Sequence, residues 1–246
     1  MANKFYHSGD QRAAKVGDLF AAIARRYDII NDLQSAGLHR IWKRRLIQLA
    51  RVRREEKALD ICCGTGDIAL ALARKGAAVI GLDFSEPMLQ IARNRSARPR
   101  PAPGAVSFIQ GDALRLPFPD NSFDLVTVGY GLRNLSDLAA GLREMHRVLR
   151  PGGRMLALDF GKPNNPIWRA VYFAYLRRVI PVLGGIICGD FEAYGYIVES
   201  LNHYVAQTGV TTTLLQVGFQ PVRVLNLLGG IMSIHRGEKP GATLVP

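Results

Sequence analysis

The chain has 246 residues, 48% of them hydrophobic, and its 32 Lys and Arg against 20 Asp and Glu give a formal net charge of +12. This composition is typical of a globular protein and excludes a disordered chain, and the longest apolar run, residues 179–188, is far shorter than the ~20 residues of a membrane-spanning helix. No apolar segment follows the N-terminal Met, and the three cysteines form neither a disulfide framework nor a CxxC zinc pair, so we expect no secretory signal, no metal centre and a cytoplasmic location.

The N-terminal part of the chain predicts two amphipathic helices, at residues 16–27 and 38–50, because apolar residues recur there at helical spacing among many basic side chains. The basic excess is concentrated here: residues 1–57 hold 13 Lys and Arg against 6 Asp and Glu, whereas residues 58–161 hold 12 against 10 and residues 162–246 hold 7 against 4. A basic region is typical of nucleic-acid binding, of contact with an anionic membrane, or of a solvated helical face. The charge alone leaves these three alternatives open.

The pattern changes at Lys57, from where five short apolar runs are bounded by Gly, Asp or Pro and separated by room for a helix. They are residues 57–63, 77–83, 105–110, 124–129 and 154–160. Helix-start signals fall between them at Ser85 and Ser136. Buried strands that alternate with helices predict a parallel sheet covered on both faces, so we expect a doubly wound α/β fold.

After the fifth run the pattern becomes helical again, with predicted helices at residues 167–180, 191–207 and 211–217. Two strand-like runs then follow, separated by Gly229 and Gly230. Two strands joined by a short glycine turn predict an antiparallel hairpin, which we place at the edge of the sheet.

A glycine-rich segment, residues 60–67, follows the first predicted strand and opens a helix. Gly64 and Gly66 allow the backbone to turn tightly and to approach a small, partly anionic ligand at the positive helix end. Asp83 closes the second predicted strand, where its carboxylate can accept both ribose hydroxyls of a nucleoside, each hydrogen bond contributing ~1.5–3 kcal/mol. This motif alone does not separate a nicotinamide dinucleotide from S-adenosylmethionine.

Three further features distinguish these two cofactors. Asp112 and Ala113 follow the third strand, where an Asp side chain can accept from an adenine amino group while the next backbone N–H donates to the ring. A Pro-Gly-Gly turn at residues 151–153 precedes the fifth strand, and the chain ends in the predicted hairpin. Together these features resemble the class I S-adenosylmethionine-dependent methyltransferases from Lys57 onward, which implies a Rossmann-like, seven-stranded, mostly parallel sheet with one antiparallel strand.

The same resemblance implies a cofactor site. The methionine end of S-adenosylmethionine would lie against Asp60, Gly64, Thr65 and Gly66, the ribose against Asp83, and the adenine against Asp112 and Ala113. Gly129 ends the fourth strand where some relatives have Ser, so we expect a contact from its backbone only. For Asp60 and Thr65, strand-end and helix-cap roles are the structural alternative.

The N-terminal helices carry a more specific motif. Tyr27-Asp28, Asn31, Ser35, His39 and Trp42 resemble, in type and spacing, the signature of the ubiquinone and menaquinone C-methyltransferases, the UbiE/MenG family. Two further segments resemble motifs of the same family: Gly131-Leu-Arg133-Asn134 and residues 147–161. In the second segment, Asp159 replaces the usual Glu and Gly161 replaces Ser. The resemblance spans about residues 15–240, nearly the whole chain.

That family resemblance implies transfer of a methyl group from S-adenosylmethionine to a ring carbon of a prenylated demethylmenaquinol or benzoquinol, in menaquinone or ubiquinone biosynthesis, with S-adenosylhomocysteine as the second product. The ring carbon becomes nucleophilic as the adjacent hydroxyl loses its proton, so the reaction needs a proton acceptor but no metal. Arg133 is the candidate for stabilising the phenolate and Asn134 for bonding a quinol oxygen. His39 is the titrating candidate, and Tyr27 shares its helical lid; for His39 and Trp42, burial in the core is the alternative.

We therefore predict a helical substrate lid at residues 1–56 and a methyltransferase domain at residues 57–246, with a helical substrate-cap insertion at about residues 162–207. Residues 167–188 combine Trp168, aromatic neighbours and an arginine pair with the apolar run. This suits a groove for the prenyl tail and peripheral contact with the anionic inner face of a membrane. A cap helix packed on the sheet and a homodimer face are the alternatives for this segment.

A nucleic-acid methyltransferase, which the charge of +12 suggests, is disfavoured by the sequence. The Asn/Asp-Pro-Pro-aromatic motif of base-amino methylation is absent, since Val128-Gly-Tyr130-Gly ends the fourth strand, and neither Pro-Cys nor Thr-Cys is present for a cysteine nucleophile. We therefore expect no nucleic-acid partner. The intact motifs disfavour a non-catalytic cofactor-binding protein, and a methyltransferase acting on another hydrophobic small molecule, such as a sterol or lipid, is the remaining alternative.

Overall fold

The computed structural model describes residues 27–97, 103–188 and 199–241. Nearly all of the helix predicted at residues 16–27, and residues 191–198 of the helix predicted at residues 191–207, therefore lie outside the described residues. The predicted division into a lid, a methyltransferase domain and a cap insertion stays a prediction.

The described elements follow one another as strands and helices after two N-terminal helices. They are α1 (Tyr27–Gln34), α2 (Leu38–Ala50), β1 (Lys57–Ile61), α3 (Asp67–Ala73), β2 (Ala78–Asp83), α4 (Glu86–Ser96), β3 (Val106–Gln110), β4 (Phe123–Gly129), α5 (Leu138–Val148), β5 (Leu149–Phe160), α6 (Pro166–Cys188), α7 (Ala206–Gln216), β6 (Val222–Leu227) and β7 (Met232–Glu238). Two 3₁₀ turns, Leu132–Asn134 and Leu228–Gly230, lie after β4 and between β6 and β7.

The strands form a seven-stranded sheet in the order β3-β2-β1-β4-β5-β7-β6. Neighbouring strands among β1 to β5 pair in parallel, and β7 runs antiparallel to both of its neighbours, β5 and β6. The predicted fold class, with its C-terminal antiparallel hairpin, is confirmed. The strand order reverses between β1 and β4, and a crevice is expected at the carboxyl ends of the strands at such a switch point.

Both faces of the sheet are covered, as a doubly wound fold requires. On one face, α2, α3 and α4 bury Leu46, Leu72 and Leu89 respectively. On the other face, α5 and α7 bury Leu142 and Leu214. Each fully buried side chain of this size contributes ~1.5–3 kcal/mol, so the two clusters hold the helices on the sheet and fix the loops between them.

Helix α2 has the span that the sequence predicts. Its buried residues include His39, Trp42, Leu46 and Ala50, which recur every three or four positions and therefore share one face. Trp42 belongs to the same apolar cluster as Leu46, so its described contacts are those of core packing.

Three predicted helix boundaries are wrong. α5 begins after Asp137 instead of Ser136, because the Asp137 carboxylate accepts a hydrogen bond from the N–H of Ala140 at 2.9 Å and caps the helix. α7 begins at Ala206 instead of residue 211, since burial of its apolar face against the sheet outweighs the low helix propensity of a glycine and three threonines. α6 continues to Cys188 instead of ending at residue 180, because the apolar run extends the helix past Pro181.

Candidate active site

A cleft opens at the carboxyl ends of β1 to β4 and has a volume of about 790 Å³, counting the space at its mouth. Its walls are formed by Cys62, Gly64, Leu82, Asp83, Phe84, Ser85, Met88, Gly111, Asp112, Ala113, Leu114, Gly129, Tyr130, Gly131, Asn134, Leu135 and Ser136. The fold thus brings together most of the predicted cofactor residues and one of the predicted catalytic residues, Asn134.

The Asp83 carboxylate is held in one orientation by backbone N–H groups. Its Oδ2 accepts from Gly64 N at 2.8 Å, and its Oδ1 accepts from Ser85 N at 2.9 Å. Burial raises the pKa of this carboxyl above its usual value, and the N–H donors of Ser85 and Gly64 act in the opposite direction. Because each carboxylate oxygen has a second lone pair, Asp83 keeps acceptor capacity for two hydroxyl groups in the cleft.

Two glycines shape the loop between β1 and α3. Gly64 and Gly66 have φ angles of +53° and +84°, in the left-handed region that favours glycine. A Cβ atom at Gly66 would also lie 3.0 Å from Cζ of Phe108 and 3.1 Å from Cβ of Ala92, so both the conformation and the space exclude a side chain. The backbone of this loop can therefore approach a ligand closely.

Asp60 and Thr65 are engaged by other parts of the protein. Asp60 is almost completely buried, and its carboxylate accepts from the hydroxyl of Thr127 at 2.7 Å and from the N–H of Ala69 at 3.0 Å. The hydroxyl of Thr65 accepts from the guanidinium of Arg95 at 2.9 Å. Neither residue lines the cleft, and their described contacts are those of loop support; their contact with a cofactor stays a prediction.

The predicted adenine end is formed by the turn after β3. The Asp112 carboxylate accepts from Leu114 N at 2.9 Å, which fixes the turn, and Asp112 and Ala113 both line the cleft. Met88 is almost fully buried and also forms part of the cleft wall beside this turn.

Two glycines that differ from the family pattern have local causes. A Cβ atom on Gly129 would collide with the Cδ1 atom of Ile68, which agrees with a contact from the backbone only. A Cβ atom on Gly161 would collide with the carbonyl oxygen of Gly230 and with Nε2 of Gln207. Because a backbone carbonyl cannot move aside easily, Ser does not fit at Gly161 in this chain.

Arg133 lies behind the cleft wall and forms a buried ion pair with Asp159. Its Nη1 atom lies 3.1 Å from Oδ1 of Asp159 and donates to the carbonyl of Tyr130 at 2.7 Å, while its backbone N–H donates to Oδ2 of Asp159 at 3.2 Å. The guanidinium also lies 4.6 Å from the centroid of the Phe160 ring. Burial raises the pKa of the Asp159 carboxyl, and the charge of Arg133 acts in the opposite direction. The sequence marked Asp159 only as a departure from Glu and did not predict its pairing with Arg133.

Asn134 and Tyr130 form the wall that Arg133 supports. The side-chain amide of Asn134 donates to the carbonyl of Tyr130 at 3.3 Å, so this carbonyl accepts hydrogen bonds from both Arg133 and Asn134. Tyr130 has a φ of +63°, unusual for a residue with a side chain, and lines the cleft. Apart from its position after Gly129, nothing in the sequence marked Tyr130 as a wall residue.

The predicted residues of the N-terminal helices lie outside the cleft wall. His39 is buried, with its Nδ1 atom 2.8 Å from the hydroxyl of Ser35 and its Nε2 atom 3.7 Å from a carboxylate oxygen of Asp32. Burial, followed by the ammonium of Lys43, lowers the pKa of His39 below its usual value, so the ring is neutral at pH 7. Tyr27 begins α1, but its side chain lies outside the described part of the structure.

Cys62 is a further wall residue that the sequence did not predict. Burial, followed by the charges of Asp83 and Asp60, raises the pKa of the Cys62 thiol well above its usual value. The thiol is therefore protonated at neutral pH and has little nucleophilic character.

Comparison with known proteins agrees with this site. The model of the ubiE/COQ5 methyltransferase family matches residues 7–239. The ubiquinone/menaquinone biosynthesis C-methyltransferase UbiE of Azotobacter vinelandii is 42% identical over 233 residues, which cover 94% of this chain and 92% of that protein.

Solved structures share the fold at low sequence identity. A SAM-dependent methyltransferase from Thermotoga maritima has a TM-score of 0.62 at 20% identity, covering 90% of this chain and 98% of that one. A phosphoethanolamine N-methyltransferase from Haemonchus contortus, solved with S-adenosylhomocysteine, has a TM-score of 0.62 at 17% identity, covering 81% of this chain and 52% of that one. The fold, the cleft and the match of the family model along almost the whole length lead to one assignment: the chain belongs to the ubiE/COQ5 methyltransferase family.

Proposed function

We propose that this chain transfers a methyl group from S-adenosylmethionine to a ring carbon of a prenylated demethylmenaquinol or benzoquinol and releases S-adenosylhomocysteine. The observation that carries the proposal is the full-length family match, which includes the predicted signature on the N-terminal helices. The family assignment makes the chain a C-methyltransferase, as the sequence predicts. A prenylated quinol as substrate also agrees with the predicted absence of a nucleic-acid partner.

The residues of the cleft fit the cofactor. Asp83 presents a fixed carboxylate with free acceptor capacity at the place predicted for the ribose, and the backbone around Gly64 and Gly66 permits close approach. When bound, S-adenosylmethionine supplies an electrophilic methyl group. We assign the methionine end to Gly64, Thr65 and Gly66, with Asp60 in support, and the adenine end to Asp112 and Ala113.

The wall after β4 is suited to the quinol. Asn134 can bond a quinol oxygen, and the guanidinium of Arg133, whose charge is partly offset by Asp159, lies just behind the same wall, where we assign it to stabilisation of the phenolate form. The quinol hydroxyl gives up its proton as the ring carbon takes the methyl group, and the proton on that carbon then returns to the oxygen as the ring regains aromaticity. Arg133 is too basic to accept the hydroxyl proton, so we assign this role to the neutral imidazole of His39, with Tyr27 on the same predicted lid.

The assignment of Asp83 is tested with purified enzyme, reduced demethylmenaquinone and S-adenosylmethionine. We expect the parent to form the C-methylated product and Asp83→Asn to bind S-adenosylhomocysteine at least ~10-fold more weakly by calorimetry, because hydrogen bonds to a charged group contribute ~1.5–3 kcal/mol each. Asp137→Asn, on the exposed cap of α5, is the control and should bind as the parent does. Parental affinity in a folded Asp83→Asn variant would refute the ribose assignment.

The role of His39 predicts a pH dependence. A base must be neutral to act, so kcat/KM of the parent should fall as the pH decreases through the lowered pKa of His39, below about 6.5. His39→Gln should lose this acid limb together with ~100-fold in rate. If a limb near pH 7 persists in His39→Gln, the titrating group is Asp60, whose pKa burial raises to about 7, and His39 is not the acceptor.

We also propose that α6 rests on an anionic membrane surface, from which the prenyl tail reaches the cleft. Ile167, Val171 and Val179 are exposed at 75%, 51% and 41% and recur at helical spacing, and the exposed Arg177 and Arg178 lie on the same helix. Among the described residues, no helix is both long enough and apolar enough to cross a bilayer. An apolar stripe with adjacent arginines fits the interface of an anionic leaflet.

Flotation with vesicles that contain anionic lipid tests this contact. The parent should float at low salt, and Val171→Glu should float several-fold less, because the charge would enter the apolar interface. Leu215→Glu, at an exposed apolar position on α7, is the matched control and should float as the parent does. If the parent stays at the bottom and sediments as a dimer that Val171→Glu dissociates, the stripe is a homodimer face instead.

A further inference from the structure

Asp67, the first residue of α3, is an anion shared by cations from two other helices. Its Oδ2 atom lies 2.7 Å from Nζ of Lys43 on α2, and its Oδ1 atom lies 3.1 Å from Nη1 of Arg95 on α4. The same Nη1 atom donates to the carbonyl and the hydroxyl of Thr65, at 3.2 Å and 2.9 Å. Lys43 and Arg95 therefore restrain the loop that contains Gly64 and Gly66 from two sides.

Lys43 joins this loop to a second wall of the cleft. Its ammonium lies 5.9 Å from the centroid of Tyr130, which lines the cleft after β4. The Lys43 side chain is 15% exposed and the Asp67 side chain 38%, so one end of this ion pair is sheltered from solvent and the other is partly screened by it. A single cation thus contacts both the cofactor loop and the wall proposed for the quinol.

The other described contacts of α2 lie mainly in the core, where α2 also packs against α3. Leu46 and Ala50 pack in the core, and the carbonyl of Ala50 accepts from the guanidinium of Arg154 at 2.6 Å. The helix that precedes α2 in the chain, α1, contacts α6: the hydroxyl of Tyr175 donates to the carbonyl of Gln34 at 2.9 Å. A change in the order of α2 near Lys43 can therefore reach α1 and α6, the helices that we associate with the quinol.

We propose that Lys43 and Asp67 are positioning residues that couple the N-terminal helices to the cofactor loop. Binding of the cofactor in the cleft reduces the mobility of the loop. The ion pair transmits this effect to α2, so that the N-terminal helices α1 and α2 become more ordered when the cofactor is bound. Linkage requires the reverse as well: loss of the pair weakens cofactor binding. The inference rests on the proposed function only in requiring that the cleft binds S-adenosylmethionine or S-adenosylhomocysteine.

Hydrogen exchange followed by mass spectrometry tests the coupling, with S-adenosylhomocysteine as the probe. In the parent, the ligand should slow exchange in residues 57–73 and also in residues 38–50. In Lys43→Met, slowing in 38–50 should be lost while slowing in 57–73 persists, and the affinity should fall about 5- to 10-fold. Lys43→Arg should restore both, and Arg44→Met, at the exposed neighbouring position, should match the parent.

Arg95→Met separates support of the loop from coupling. It should weaken ligand binding yet leave the slowing in 38–50 intact at saturating ligand, since Lys43 and Asp67 still pair. If folded Lys43→Met keeps the full slowing in 38–50, the coupling through this pair is refuted while the proposed function stands. If the ligand slows exchange nowhere in the parent, the proposed cofactor site is refuted and the coupling with it.

Discussion

The geometry of the cleft depends on one buried carboxylate, that of Asp60 at the end of β1. One of its oxygens accepts from Thr127 on β4, and the other accepts from the N–H of Ala69 in α3. β1 and β4 are the strands between which the order of the sheet reverses, so this side chain ties both sides of the crevice to the helix that follows the glycine loop. Burial raises the pKa of Asp60 to about 7, although the hydrogen bonds from the two donors act in the opposite direction.

Around this anchor, ion pairs support the walls of the cleft from outside it. The Arg133–Asp159 pair fixes the carbonyl of Tyr130 from behind, and Asp67 fixes the glycine loop from the side. A buried ion pair contributes little to the stability of a fold, so the role of the Arg133–Asp159 pair here is to hold the cleft wall in position. Part of the N-terminal basic excess is used in this way, which is why a charge of +12 need not indicate a polyanion as partner.

The sequence predicted the features that depend on residues close together in the chain, and it missed the contacts between residues far apart in the chain. The strands, Gly64, Gly66, Asp83 and Asp112 could be placed because a strand–turn–helix unit fixes the position of each turn relative to the sheet. The pairing of Arg133 with Asp159 joins residues 26 positions apart and could not be read from spacing. The same holds for Lys43 and Asp67, 24 positions apart, which carry no shared motif. Gly161 could be explained only once Gly230 was seen to occupy the space for a side chain.

Ring methylation of a prenylated quinol can be tested in living cells by complementation. A strain that lacks its quinone C-methyltransferase is supplied with this chain, and its lipid extract is examined by mass spectrometry. We expect methylated menaquinone or ubiquinone to appear with the parent chain and to be lost with the Asp83→Asn variant. Accumulation of only the demethylated quinone in cells that contain the folded parent chain would contradict it.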